Sequence, residues 1–176
     1  MRRLALVLAL VLALSAPACG YHAVHGARAE AERCEVVLAR SHVPDVVVAD
    51  EVLAGAREEL SRHGALGGSA RCRIEVLRID EASEGIGAVR GPADEGASLV
   101  PAARATRVGV VARADWEAGG SVGRDTADVR AFETVAVAGD ARAATFRHAD
   151  ALRAAARRLG RRLALRLLGL PAPTEE

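Results

Sequence analysis

The chain has 176 residues, with 51% hydrophobic, 27% charged and only 2% aromatic residues, and a formal net charge of +1. That near-neutral balance excludes a general nucleic-acid binder, which needs a strong positive field. All 24 basic residues are arginine, with no lysine, asparagine or glutamine anywhere, a bias that a GC-rich genome produces without any functional cause.

The chain opens with Met1-Arg2-Arg3, an unbroken apolar run from Leu4 to Leu14, and small residues leading to Cys19. This is the layout of a secretory signal with its cleavage site. The run is shorter than the roughly 20 residues that span a bilayer, and no second stretch is long enough. A cysteine at the first mature position marks residues 1–18 as a lipoprotein signal peptide, with lipidation of Cys19. Ala16-Pro17-Ala18 also fits ordinary signal peptidase, which would release a soluble protein. Cysteine parity favours lipidation: the chain holds Cys19, Cys34 and Cys72, so acylating the first leaves an even pair in an oxidising compartment. Gly20 lacks the acidic side chain that commonly retains lipoproteins in the inner membrane. The expected location is the outer membrane, lipid-anchored on its periplasmic side.

Residues 19–32 read as an anchored linker, and 33–170 as a single domain, in keeping with a mature chain of about 158 residues. Arg33 to Arg40 reads as a strand with Cys34, Val36 and Leu38 on one face. Asp45 is placed to cap a helix that runs to about His63, with an apolar stripe of Ala49, Val52, Leu53, Ala56 and Leu60. Gly64 fits a left-handed helix stop. A second strand, Arg71 to Ile79, sets Cys72, Ile74 and Val76 against Arg71, Arg73 and Glu75 on the other face.

From Asp80 to Ala105 the periodicity disappears and Gly and Pro accumulate, so residues 80–105 read as a long loop. The third strand is expected from about Thr106 to Trp116, a turn at Gly119, Gly120 and Gly123, and the fourth strand from about Asp128 to Ala138. From Ala149 to Leu170 a helical stripe of Ala149, Leu152, Ala156, Leu159, Leu163, Leu167 and Leu170 faces a row of arginines. Pro171 ends that helix, and 171–176 reads as a tail. The order β-α-β-β-β-α implies an α/β two-layer sandwich, with two helices on one face of a four-stranded mixed sheet. Its first two strands form a parallel pair and its last three an antiparallel meander.

Chemistry-bearing candidates are few. His22, His25, His42, His63 and His148 form no convergent ligand set at the spacing zinc demands, so no metal site is expected. No nucleophile elbow, phosphate loop or dinucleotide fingerprint is present, so neither a catalytic role nor a cofactor is expected. Cys34 and Cys72 are each the second residue of a predicted strand. A disulfide between them would close a loop of roughly 38 residues and add about 3–4 kcal/mol in the chain-entropy model; two buried reduced thiols are the alternative. Arg158, Arg161 and Arg162 on the last helix are candidates for an acidic-ligand face, since arginine binds phosphate bidentately, although a solvated helix face has the same pattern.

The start Cys19-Gly20-Tyr21-His22, the first helix ending in Ala56-Arg57-Glu58-Glu59-Leu60-Ser61-Arg62-His63-Gly64, and the Ala/Arg/Leu-rich helix from Ala154 to Leu168 together resemble the LPS-assembly lipoprotein family (LptE-like). The resemblance implies binding and scaffolding: a lipid-anchored plug and assembly partner inside a large outer-membrane β-barrel translocon, aiding lipopolysaccharide delivery to the outer leaflet. Lipopolysaccharide itself is then a candidate ligand. Two competing readings of the same residues are a lipoprotein that binds or activates a periplasmic cell-wall enzyme and a soluble periplasmic binding module.

Overall fold

The computed structural model describes residues 32–90, 99–136 and 140–172, with 86–90 and 99–104 as backbone only. The signal peptide 1–18, Cys19, the linker up to residue 31, and the tail from 173 lie outside the described residues. Seven elements follow in order: β1 (Cys34–Ser41), α1 (Val46–Arg62), β2 (Ala70–Arg90), β3 (Leu99–Ala118), β4 (Ser121–Asp125), β5 (Val129–Ala136) and α2 (Ala141–Leu167). β1 pairs β2 in parallel, β2 pairs β3 antiparallel, and β3 carries both β4 and β5 antiparallel on its other side. The sheet therefore has four lanes, the last shared by two strands.

Both helices cover one face of this sheet. Side chains of β1 (Cys34, Val36), β2 (Cys72, Ile74, Val76), β3 (Val110, Ala112, Ala114, Trp116) and β5 (Val129, Ala131) join those of α1 and α2 in one buried cluster. This is the two-layer α/β sandwich that the alternation of the strands and the stripes of the helices require. Every position of the expected α1 stripe is buried. Leu38, expected on the buried face of β1, is 42% exposed; it sits beside a bulge on an edge strand, where pairing with β2 shifts register.

Helix ends follow local chemistry. The Asp45 side chain accepts from Val47 N at 2.9 Å and Asp140 accepts from Ala143 N at 3.0 Å, each satisfying a first-turn donor. Gly64 takes φ 63° just past α1, where a side chain would be strained. Ala65 N then bonds Leu60 O at 2.8 Å and closes the turn.

Three expectations need correction. Residues 80–90 and 99–105 are not loop: they extend β2 and β3 into a long antiparallel pair. β1 stops at the level of Val76 and β5 at Ala105, so the outer part, from Gly85 to Arg90 and Leu99 to Arg104, is a two-stranded arm. Register shifts before the arm at Val76/Arg78, and within it at Gly85/Gly87 and Gly87/Ala88, break the two-residue period that reveals a strand. The expected turn at 119–123 is only Gly119-Gly120; Ser121 already begins β4, all five of whose residues are exposed. The last helix starts at Ala141, eight residues earlier than its apolar stripe, because its first two turns overhang the core.

Candidate functional site

The arginine face of α2 was the principal candidate surface, and the structure assigns its members internal partners. Arg158, Arg162 and Arg166 stand one helical turn apart; the first two lie along β5 and the third over the connection that leads into it. Arg158 Nη1 donates to Phe132 O at 3.0 Å, Arg162 Nη1 to Arg130 O at 2.9 Å, and Arg166 Nη1 to Thr126 O at 3.2 Å. Arg158 also pairs with Glu133. Phe132 and Arg130 are two residues apart, the spacing at which carbonyls recur on the free edge of a strand. The row therefore closes the edge that β5 would otherwise expose.

The second arginine row faces the other way. Arg161 reaches Glu58 of α1 through Nη2 at 2.9 Å and Nε at 3.2 Å, while Arg157 contacts Glu58 at 3.4 Å and Glu51 at 3.3 Å. The hydrogen bonds from Arg161 hold the Glu58 carboxyl below its ordinary value, with burial opposing them and the charges of Arg161 and Arg62 adding to the shift. The face expected to meet an acidic ligand is thus split between an acidic neighbour helix and a strand edge. The i, i+4, i+8 spacing of Arg158, Arg162 and Arg166 was visible in the chain, but nothing local names the strand they meet.

The uncovered face of the sheet is polar and cross-linked by charge. Arg113 donates to Glu75 Oε2 through Nε at 2.9 Å and Nη2 at 2.7 Å, and His42 Nε2 meets Glu75 Oε1 at 2.7 Å. Arg73 bridges Glu117 at 3.2 Å and Asp115 at 3.7 Å. Hydrogen bonds with His42 and then Arg113 lower the Glu75 pKa. Asp115 is raised, chiefly by burial, with Arg73 opposing and Asp125 adding to it; its Oδ1 is buried and has no hydrogen-bond donor. A shallow trough lined by Glu35, Val37, Ala39, Arg71, Arg73 and Glu117 crosses this face.

A second cleft, of about 310 Å³, lies between the overhanging first turns of α2, the end of β5 and the stretch of β3 paired with it, lined by Thr106, Val135, Ala136, Ala144, Thr145 and His148. His148 is paired with Glu81 at 3.2 Å. Neither the cleft nor the polar trough was foreseen, because each is assembled from elements distant in the chain. His63, the remaining described histidine, meets Glu59 at 3.2 Å. Among the described residues no three His, Cys, Asp or Glu side chains gather as metal ligands.

Cys34 and Cys72 are both free and fully buried, at 0% exposure. They stand on neighbouring parallel strands, where Cys34 is opposite Ala70 and Cys72 is opposite Val36. A hydrogen bond with the Cys34 thiol, then burial, pushes the Cys72 thiol far above its ordinary range.

No family model and no curated protein matches the chain. Among solved structures it is similar to a candidate lipoprotein from Caulobacter crescentus (16% identity, 77% of this chain and 88% of that one, TM-score 0.47). A minor lipoprotein from Acinetobacter baumannii is similar at 10% identity over 82% of this chain and 98% of that one, with a TM-score of 0.46. An uncharacterized lipoprotein B from Nitrosomonas europaea follows at 12% identity over 78% and 88%, with a TM-score of 0.35. At these identities and scores no function is carried over from them.

Proposed function

We propose that this protein is an outer-membrane lipoprotein, anchored through Cys19, that acts as plug and assembly partner of the β-barrel lipopolysaccharide translocon. The observation that carries the reading is the start of the mature chain, Cys19-Gly20-Tyr21-His22, directly after a short apolar signal. A domain with one buried core and a polar, charge-paired outer sheet face supports it, since a plug has to meet the hydrated inner wall of a barrel without aggregating. Its work is binding and scaffolding, not catalysis, and its partner is a large outer-membrane β-barrel protein that receives lipopolysaccharide.

The test is affinity capture of the tagged full-length protein from detergent-solubilised outer membranes, with mass spectrometry of what co-purifies. A near-stoichiometric large β-barrel protein is the expected result. Capture of periplasmic cell-wall enzymes alone would replace the reading with an activator lipoprotein. Unchanged fractionation of Cys19→Ala in the soluble pool would replace it with a soluble binding module.

A further inference from the structure

Among the described residues, Cys34 and Cys72 are a pair of like reactive groups in the core, and the proposed function does not use them. Both side chains belong to the helix-facing cluster. They stand diagonally on one buried face, two residues out of register across adjacent strands. Neighbours offset in this way stand farther apart than a disulfide normally spans, so one strand must shift for the bond to form. β1 is an edge strand that pairs with β2 alone among the strands. Cys34 is tied besides to the 65–67 segment, where Cys34 N donates to Ala65 O at 2.9 Å and Gly67 N to Cys34 O at 2.8 Å. Bringing the sulfurs together therefore requires β1 to undock. Burial makes the same demand. With both residues at 0% exposure, no oxidant reaches either sulfur while β1 is docked, and the attacking thiolate is scarce in so apolar a site.

We propose that Cys34 and Cys72 are a redox-set staple: a disulfide-bearing oxidant joins them while β1 is undocked, and docking of β1 then seals whichever state it meets. The oxidant is a small-molecule disulfide or the disulfide of a protein oxidoreductase. One cysteine thiolate attacks an oxidant sulfur and expels the first thiol. The second cysteine, losing its proton, then attacks the mixed disulfide and expels the other. Two protein thiols become one disulfide, and one oxidant disulfide becomes two thiols. Cys34 is the first residue of β1, so the staple secures the point where the N-terminal segment enters the sheet. On the lipoprotein reading, that is where tension from the anchor arrives; the exchange chemistry does not depend on that reading.

The test uses the full chain with Cys19→Ser, so that two thiols remain. Reduced, unfolded protein is refolded with glutathione disulfide, alkylated and cleaved with trypsin, which frees Cys34–Arg40 and Cys72–Arg73. The expected product is those two peptides joined, and separated again by reductant. Reduced protein that is already folded, given the same oxidant, is expected to form it slower by roughly a hundredfold or more, since exchange waits on local opening. Protein exported with its leader into an oxidising compartment, then acid-quenched and alkylated, reads the same peptide without a refolding step. Two singly alkylated or glutathionylated peptides from both oxidised samples would overturn the staple. Equal oxidation rates for folded and unfolded protein would overturn the seal.

Discussion

Gly160 of α2 lies directly against the backbone of Val52 in α1: a Cβ on the glycine would overlap the Val52 carbonyl oxygen and crowd Ala56 N at 2.7 Å. Gly55 does the reverse, its missing side chain leaving room for the carbonyl of Arg157. The two helices touch backbone to backbone at these points, which brings Arg157 and Arg161 within reach of Glu51 and Glu58.

Gly160→Ala tests this contact. Helix propensity alone favours alanine by about 1 kcal/mol, but the obstacle is backbone and cannot rotate away. The helices must separate, at a typical overpacking cost of about 1–3 kcal/mol. The expected net effect is destabilisation, read as a lower denaturant midpoint with an unchanged slope. Gly55→Ala is expected to do the same, and the double variant to lose less than the sum because both open one interface.

Removing the arginine row is expected to change association more than stability. Arg158, Arg162 and Arg166 lie at the surface, where a hydrogen bond contributes about 0.5–1.5 kcal/mol and the Arg158–Glu133 ion pair about 0–1 kcal/mol. Their substitution by Ser frees the outward carbonyls of Arg130 and Phe132 in β5 and that of Thr126 just before it. The triple variant is expected to show concentration-dependent self-association by light scattering, under conditions where Arg153→Ser does not.

Acid is expected to weaken the fold through Glu58 and Glu75. Both carboxyls are held below their ordinary value, so the stability they contribute is complete above an unfolded pKa of about 4.3 and is lost as pH falls through the folded value. Glu58→Gln should flatten part of the acid limb of a melting-temperature profile. Asp115 behaves oppositely. Its folded pKa is raised, so the favourable protonated state is present at low pH and lost as pH rises through that value. Asp115→Asn is expected to match the parent near pH 3 and to melt higher near about pH 7.

Phe132 lies over Gly109, its cross-strand partner, with the Arg107 guanidinium 4.3 Å from the ring centroid. The ring covers a strand position that has no side chain of its own. Phe132→Ala is expected to cost about 1–2 kcal/mol, from the lost cross-strand pair and the cation–π contact. Gly109→Val is expected to be at least as damaging, because its side chain would need the space the ring occupies. Chemical denaturation reads both.

Much of the fold was legible because its signals are local. Asp45, the Ala49–Leu60 stripe and Gly64 define α1 within one stretch of chain, and the alternation of Arg71 to Val76 defines the inner part of β2. The outer arm was not, because bulges in β2 shift its phase and its pairing is set by residues of β3. Ser121 to Asp125 carry no buried face, so nothing apolar marks them as a strand; the hydrogen bonds to Asp115–Ala118 make them one. The start of α2 rests on Asp140, whose cap was hidden among exposed turns.

The sequence alone determined which side of each helix is apolar, where the helices are capped, and that two cysteines share the buried face of their strands. Those properties follow from spacings of two to four residues along one element. Only the tertiary structure decided what each polar side meets: Arg158 and Arg162 the edge of β5, Arg166 the connection before it, Arg157 and Arg161 the carboxylates of α1. Arg161 and Glu58 are 103 residues apart, and a charge on a helix face carries no local record of its partner. That choice is made by how closely the two helices pack, which Gly55 and Gly160 permit.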